Sequence, residues 1–452
     1  MQTRRYHESW SSGRIFVLAS IGSAVGLGNI WRFPYLAGEN GGGAFVILYI
    51  ACVALIALPL LAAEIMMGRH GGMSPVNTMR RLAAEAEAQP YWQLQGWLAV
   101  GIVFIALTFY SLVAGWCLAY MGLAVSGSFS GLDRTGAEDV FADLLADPVM
   151  LAALHGIVTA TCVYIVGRGL RRGIERAVRW LMPALFAILL LLVVNGLVAG
   201  APGPALTFLF APEIGAIDSG VILAAISQAF FSVSVGAGAM MTYGAFLSKR
   251  TFIPGAAMVI AFSDTAVAVL AGLAIFPVVF AYNLEPAAGP GLIFETLPIA
   301  FGQMTGGAVV GAAFFFLLVV AAVSSIIATM EAVIAWGEEH RSIDRWKTAI
   351  LVGVAAWVLG LASVFSFNLW KEVRPLGFLE AFADMRIFDF LEYLSLSVML
   401  PLSGLLLALF AGWVLPEAVA REELALSARS FRIWRFLLRY IAPAAILIVF
   451  VT

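Results

Sequence analysis

Apolar residues fall in eleven long runs, and polar residues collect between them. The runs lie near 14–37, 43–67, 97–125, 149–166, 177–199, 219–247, 255–283, 307–337, 346–367, 387–415 and 434–451. Each approaches the length of about 20 residues that a helix needs to cross a bilayer. No water reaches backbone N–H and C=O groups at that depth, so the runs are predicted to be helices in an all-α polytopic membrane fold. Two runs are interrupted. The first carries Gly22-Ser23-Ala24-Val25-Gly26-Leu27-Gly28-Asn29-Ile30-Trp31-Arg32-Phe33-Pro34, and the sixth carries Gln228-Ala229-Phe230-Phe231-Ser232-Val233-Ser234-Val235-Gly236-Ala237-Gly238-Ala239. Glycine weakens a helix, and unpaired carbonyls at membrane depth persist only where they line a protein-walled site.

Runs one and six each open a block of five, 1–5 and 6–10. Paired interruptions at corresponding places in two halves point to a binding site at an inverted-repeat interface. Serine and glycine also let helices pack closely, but Asn29 and Arg32 in the first interruption favour a site, because an ionisable residue at that depth marks function. The expected organisation is one transporter domain over 1–452. Its first repeat spans about 14–199, its second about 219–415, and an extra helix covers about 434–451.

Composition agrees with the pattern. The chain is 62% hydrophobic and 12% charged, against about 25% charged in soluble domains. The net charge of -2 says little about partners. The bilayer is the expected surroundings; no nucleic-acid partner and no obligate protein partner is expected. The first run lacks a small-residue cleavage site and reads as a span, not a signal peptide. With the N-terminus cytoplasmic, 21 of the 26 basic residues fall on the inner side, as the positive-inside rule requires. Eleven spans then leave the C-terminus outside. Cys52, Cys117 and Cys162 lie in apolar runs and read as small buried hydrophobes.

Candidate chemistry excludes two classes. The four histidines stand near loops or span ends, with no HExxH pair and no Ser–His arrangement at one depth. Metal or nucleophilic catalysis lacks its parts, so no enzyme is expected. A channel needs a continuous polar pore, whereas the polar residues cluster at one depth. A substrate-sensing receptor would use the same pocket without flux and stays open as an alternative.

The stretch from Gly22 to Tyr35 resembles the first-helix signature of the neurotransmitter:sodium symporter family. Glu39-Asn40-Gly41-Gly42-Gly43-Ala44-Phe45, Gly173-Ile174-Glu175-Arg176 and Phe230–Gly238 resemble its other motifs. Bacterial amino-acid transporters of the family are the nearest in pattern, so the resemblance implies a sodium-coupled symporter in a bacterial inner membrane. It also implies discontinuous helices 1 and 6 within a 5+5 inverted repeat, and two sodium ions. One ion would take the Ala24 carbonyl, Asn29, Ser232 and a run-seven residue, either Ser263 or Asp264, completed by the substrate carboxylate. The other would take the carbonyls of Gly22, Val25 and Ala321 with the hydroxyls of Ser324 and Ser325. Relatives that need chloride balance charge beside the first ion; a fixed Asp264 carboxylate would do that work, so no chloride is expected.

The substrate pocket follows from the same resemblance. Gly26 stands where monoamine carriers have an aspartate, so a bare amine lacks an acidic partner and a free α-amino acid is expected. N–H groups at Leu27 and Gly28, with the Tyr110 hydroxyl, would hold its carboxylate. Carbonyls near Ala24, Phe231 and Ser232, with the Ser234 hydroxyl, would hold its ammonium. Ser23, Ala106, Phe231, Ala237, Ser325 and Thr329 would line the remainder. The small Ala237 leaves room for a bulky apolar or aromatic side chain, a small polar amino acid being the alternative. Arg32 and Asp389 would form an outer gate over Tyr110 and Phe231. Trp10 and Glu339 would form an inner latch, with Arg4 or Arg5 standing in for the arginine expected at His7.

Overall fold

The structure, a computed structural model, describes residues 8–286, 291–341 and 343–451. Among them there are helices, turns and loops but no strands. The first span is α1a (Gly13–Ala24) and α1b (Gly28–Glu39), bent by 52°. There follow α2 (Gly43–Gly71), α3 (Pro90–Val125), α4 (Pro148–Gly167) and α5 (Leu170–Ala199). The sixth span is also broken, into α6a (Ser219–Val233) and α6b (Ala239–Ala245). Then come α7 (Ile253–Ala281), α8 (Gly307–His340), α9 (Arg345–Phe365), α10 (Ile387–Val414) and α11 (Ala428–Phe450). Nine of these are continuous helices long and apolar enough to cross a membrane, and the bent first span makes ten. At 1.5 Å per residue, α6a reaches only about 22 Å, short of the hydrocarbon core; α6b completes an eleventh crossing.

Helices run past the ends of their apolar runs. α3 begins at Pro90 and α5 at Leu170, each seven residues before the expected start. Both extensions carry polar or basic residues beyond the hydrocarbon, where a hydropathy pattern has nothing to report. Proline at the first turn suits the start of α3, since that N–H has no helical acceptor.

Packing repeats with a shift of five. α1 lies on α7 as α6 lies on α2; α5 lies on α7 as α10 lies on α2; α3 on α8 and α4 on α9 join the two blocks. This is the pairing of a 5+5 repeat, with α11 against α10 outside it. α2 and α6b approach each other closely. A Cβ on Gly68 would lie 2.0 Å from the Met241 carbonyl oxygen, so only glycine permits this backbone contact. The two breaks thus meet at one depth, walled by α3, α7 and α8.

Candidate substrate and ion site

The helix break at Val25–Leu27 redirects one donor. In a continuous helix the Gly26 N–H would return to Gly22; here it donates to Asn29 Oδ1 at 3.1 Å. The Leu27 N–H donates to the Tyr110 hydroxyl at 2.9 Å. The second break opens at Ser234, left-handed at φ +51°, and continues through Gly236 and Gly238, at φ +89° and +79°. Gln228 ties the two breaks, its Nε2 donating to the Gly28 carbonyl at 2.7 Å.

Oxygen atoms converge on Asn29, which is fully buried. Its Nδ2 lies 2.9 Å from Ser232 Oγ, 2.8 Å from Asp264 Oδ1 and 3.0 Å from the Asp264 carbonyl. Ser232 Oγ also donates to Asp264 Oδ2. The Tyr49 hydroxyl lies 3.0 Å from Ser232 Oγ and 3.4 Å from Asp264 Oδ2. Asp264 is wholly buried, and every partner around its carboxylate is a neutral donor. A buried carboxylate without a counter-charge is costly, and a carboxylate with hydroxyl and amide groups gathered around it suits a small hard cation. Ser263, half-buried one residue earlier, makes no hydrogen bond into this cluster among the described residues. Of the two run-seven candidates, Asp264 is the one beside Asn29.

The second group of oxygens lies where α8 meets α1a. Ser324 Oγ donates to the Ala321 carbonyl at 2.9 Å. Ser325 Oγ lies 3.2 Å from both the Ala321 and the Ser23 carbonyls. Gly22 and Val25 sit on the facing end of α1a, at its break.

Between the two groups is a pocket. Ser23, Ala24, Gly28, Ala106, Tyr110, Phe231, Ser232, Ser234, Ala237, Ser325 and Thr329 all line it. Leu27 lines instead the vestibule above, separated from the pocket by Phe109, Tyr110 and Phe231. A Cβ on Gly26 would lie 2.7 Å from both Tyr110 Oη and Ser325 Oγ. A side chain there would have to displace these hydroxyls. The remaining wall is apolar: Ile102, Val103, Phe109, Leu396 and Leu400. Sequence reasoning missed these because an apolar residue in an apolar run carries no signal.

It also missed Glu64, whose signal was available as a carboxylate within run two. Glu64 is fully buried and accepts from the Gly236 N–H at 2.8 Å and the Met241 N–H at 3.4 Å. It satisfies donors at the start of α6b that the break leaves without helical partners. Ser403 Oγ donates to the Gly236 carbonyl at 2.6 Å on the other side.

The gate residues are paired differently from expectation. Arg32 and Asp389 line one vestibule but form no ion pair among the described residues. Arg32 reaches Ser227 Oγ at 3.1 Å and Gln228 Oε1 at 3.3 Å, and stacks over Phe231 at 4.7 Å. Asp389 Oδ2 accepts from the Arg386 N–H at 3.0 Å, capping the first turn of α10. On the opposite face Trp10 is buried, and its Nε1 donates to the Tyr243 carbonyl at 2.9 Å. Glu339 accepts from Ser74 and Asn77. Glu175 of the Gly-Ile-Glu-Arg motif accepts from Ser11 N at 2.7 Å and Ser11 Oγ at 2.8 Å. Arg4 and Arg5 lie outside the described residues.

Two broken helices thus face each other across a buried polar cluster in a multi-pass helical fold. The chain matches the family model described as "Sodium:neurotransmitter symporter family" over residues 7–130 and 149–452, and it belongs to that family. It is 34% identical to the sodium-dependent transporter YhdH of Bacillus subtilis, covering 98% of this chain and 96% of the relative. It is 30% identical to a sodium-dependent transporter of Haemophilus influenzae, over 99% and 98%. The structure is also similar to that of MhsT in complex with L-phenylalanine, with a TM-score of 0.89 and 40% identity over 99% of each chain. The protein is therefore a sodium-dependent symporter.

Proposed function

We propose that the protein carries free α-amino acids with bulky apolar or aromatic side chains, driven by two sodium ions and without chloride. The carrying observation is the pocket itself. It has apolar walls from α3 and α10, hydroxyls and broken backbone at its floor, and glycine, not an acidic residue, at Gly26. The amino acid carboxylate meets Tyr110 and the first break; its ammonium meets the carbonyls of the second. One sodium ion sits among Ala24, Asn29, Ser232 and Asp264, with the substrate carboxylate as a further ligand. The other sits among the carbonyls of Gly22, Val25 and Ala321 and the hydroxyls of Ser324 and Ser325. Because the substrate is itself a sodium ligand, each raises the other's affinity, and linkage makes the effect reciprocal. Asp264 supplies the negative charge that chloride supplies elsewhere. That MhsT is known with L-phenylalanine supports an aromatic substrate here.

Transport follows from alternating access within one domain of two repeats. The N-terminal face, which carries most of the basic residues, is cytoplasmic, and the membrane is a bacterial inner membrane. Arg32 and Asp389 close the outer side; the segment around Trp10, with Arg5 and Glu339, closes the inner side. The test is uptake of a labelled amino-acid panel into proteoliposomes, with and without a sodium gradient, in chloride or gluconate. Sodium-driven accumulation of phenylalanine or another bulky apolar amino acid, equal in both anions, is the expected result. Accumulation only in chloride would remove Asp264's role; sodium-dependent binding without accumulation would make the protein a sensor.

A further inference from the structure

Far from the pocket, on the N-terminal face, His70 at the end of α2 is held between two carboxylates. Its Nε2 lies 2.8 Å from Glu85 Oε2, and its Nδ1 lies 3.3 Å from Glu423 Oε1. Glu85 ends the helix Pro75–Glu85, and Glu423 lies in the helix Glu417–Leu424. The other charges around the ring are fixed. Arg69, beside it on α2, binds Glu423 Oε2 at 2.6 Å and the Thr251 carbonyl at 2.6 Å. Arg81 binds Glu85 Oε1 at 2.7 Å. From the turn after α6b, Lys249 Nζ lies 3.5 Å from Glu422 and 3.8 Å from Glu423.

The chemistry of the ring follows. Neutral imidazole has one N–H, so its other nitrogen would set a lone pair against carboxylate oxygen; only the imidazolium donates on both sides. Neither carboxylate takes the proton instead. Burial pushes the Glu85 carboxyl up, but bonds from Arg81 and His70 outweigh it and hold the group below its ordinary value. Burial likewise raises Glu423, and His70 and Arg69 more than offset that. The proton belongs on the ring.

The placement gives this proton a mechanical role. The helix Pro75–Glu85 packs chiefly on α3, with contacts to α8 and to the end of α2 to which a short turn joins it, whereas the helix Glu417–Leu424 packs on α2 and α7. The ring therefore ties α2, which carries Glu64 and packs on α6b, to a helix seated on the α3–α8 pair. Alternating access requires those two bodies to move apart on one face. We propose that His70 is a proton-binding site that holds the N-terminal face closed, so that a proton from that side must leave before the face opens. The inference rests on the alternating-access reading above. The sign is fixed by linkage. A site that binds its proton more tightly when closed stabilises closure at low pH and loses that stabilisation as pH rises through the closed-state titration. Each unit by which closure raises the ring's affinity shifts the gate equilibrium about tenfold.

The experiment measures sodium-driven phenylalanine uptake while pH varies only on the N-terminal side, from mildly acidic to mildly alkaline. Wild type is expected to speed up several-fold across the range. His70→Gln, with no titration, should stay flat at the fast level; His70→Arg, permanently charged, should stay flat at the slow level. A wild-type pH profile retained in His70→Gln, or the same level in both variants, overturns the proposal. The ring is also followed directly, by NMR of histidine-labelled wild type in sodium and phenylalanine. A ring neutral throughout this range overturns the proposal even if the variants fail to fold or no uptake is found. A charged ring with no uptake of any amino acid would leave the proton site standing and remove the transport reading instead.

Discussion

Asn29 shows how one side chain serves both backbone and site. Its amide accepts from Gly26 and reaches Ser232 and Asp264, so it holds the break open while facing the oxygen cluster. Asn29→Ala removes these bonds at once. Hydrogen bonds to charged groups contribute about 1.5–3 kcal/mol each, which is roughly ten- to a hundredfold in an equilibrium constant. The sodium concentration for half-maximal binding of amino acid should rise by at least about tenfold, read from radioligand binding at varied sodium. Unchanged sodium dependence would take Asn29 out of the ion site. Tyr110→Phe tests the substrate side. Its hydroxyl takes the Leu27 N–H, and a lone neutral bond is worth about 0.5–1.5 kcal/mol. Affinity for the amino acid should therefore fall about two- to tenfold, with the melting temperature nearly unchanged. What was legible at this scale was polarity in the wrong place. Asn29, Arg32 and Asp264 stand out against hydrocarbon. Tyr49 and the apolar pocket wall do not, because tyrosine and leucine are ordinary residues of a membrane helix. Only the fold assigns them to the site.

At the scale of elements, the two breaks were readable from glycine and serine spacing, but what stabilises them was not. A break leaves backbone donors without helical acceptors, and the chain supplies others: Asn29, three residues on, for Gly26, and Glu64, from a distant span, for Gly236 and Met241. The Glu64 pairings join positions more than a hundred residues apart, and no local pattern encodes them. Glu64→Ala should leave two buried N–H groups unsatisfied, at about 1–3 kcal/mol for each. The expected result is a lower melting temperature together with weaker amino acid binding, measured in detergent with and without sodium. Glu64→Gln, which keeps an acceptor oxygen, should lose less of both. Equal losses for the two would mean that Glu64 acts through its charge and not as a cap. The extra turns of α3 and α5 escaped notice for a related reason: hydropathy marks where a helix lies in lipid, not where its hydrogen bonds stop.

For the whole molecule, the two faces differ in how their polar side chains are paired. On the N-terminal face Trp10, Ser11, Glu339 and His70 all have partners on other elements. On the opposite face Arg32 and Asp389 share a vestibule, and each is bonded to a neighbour nearby instead of to the other. The sequence pairs these two as an expected gate, and their separation could not be read from it, since conformation depends on small differences between packings. At ~4 Å and an effective dielectric of about 20 the pair would attract by roughly 4 kcal/mol before desolvation. Closing must also break the Arg32 bonds to Ser227 and Gln228, so the net gain is smaller and reversible, as a gate requires. A double-mutant cycle with Arg32→Gln and Asp389→Asn separates a gate from a structural pair. If the two meet only in the closed state, the single variants should each slow uptake and the double variant should be little slower than either. The same cycle read on melting temperature without substrate should be additive, because the resting state holds no bond between them. Coupling in melting temperature but not in uptake would make them a structural pair and leave the outer side to be closed by Tyr110 and Phe231 alone.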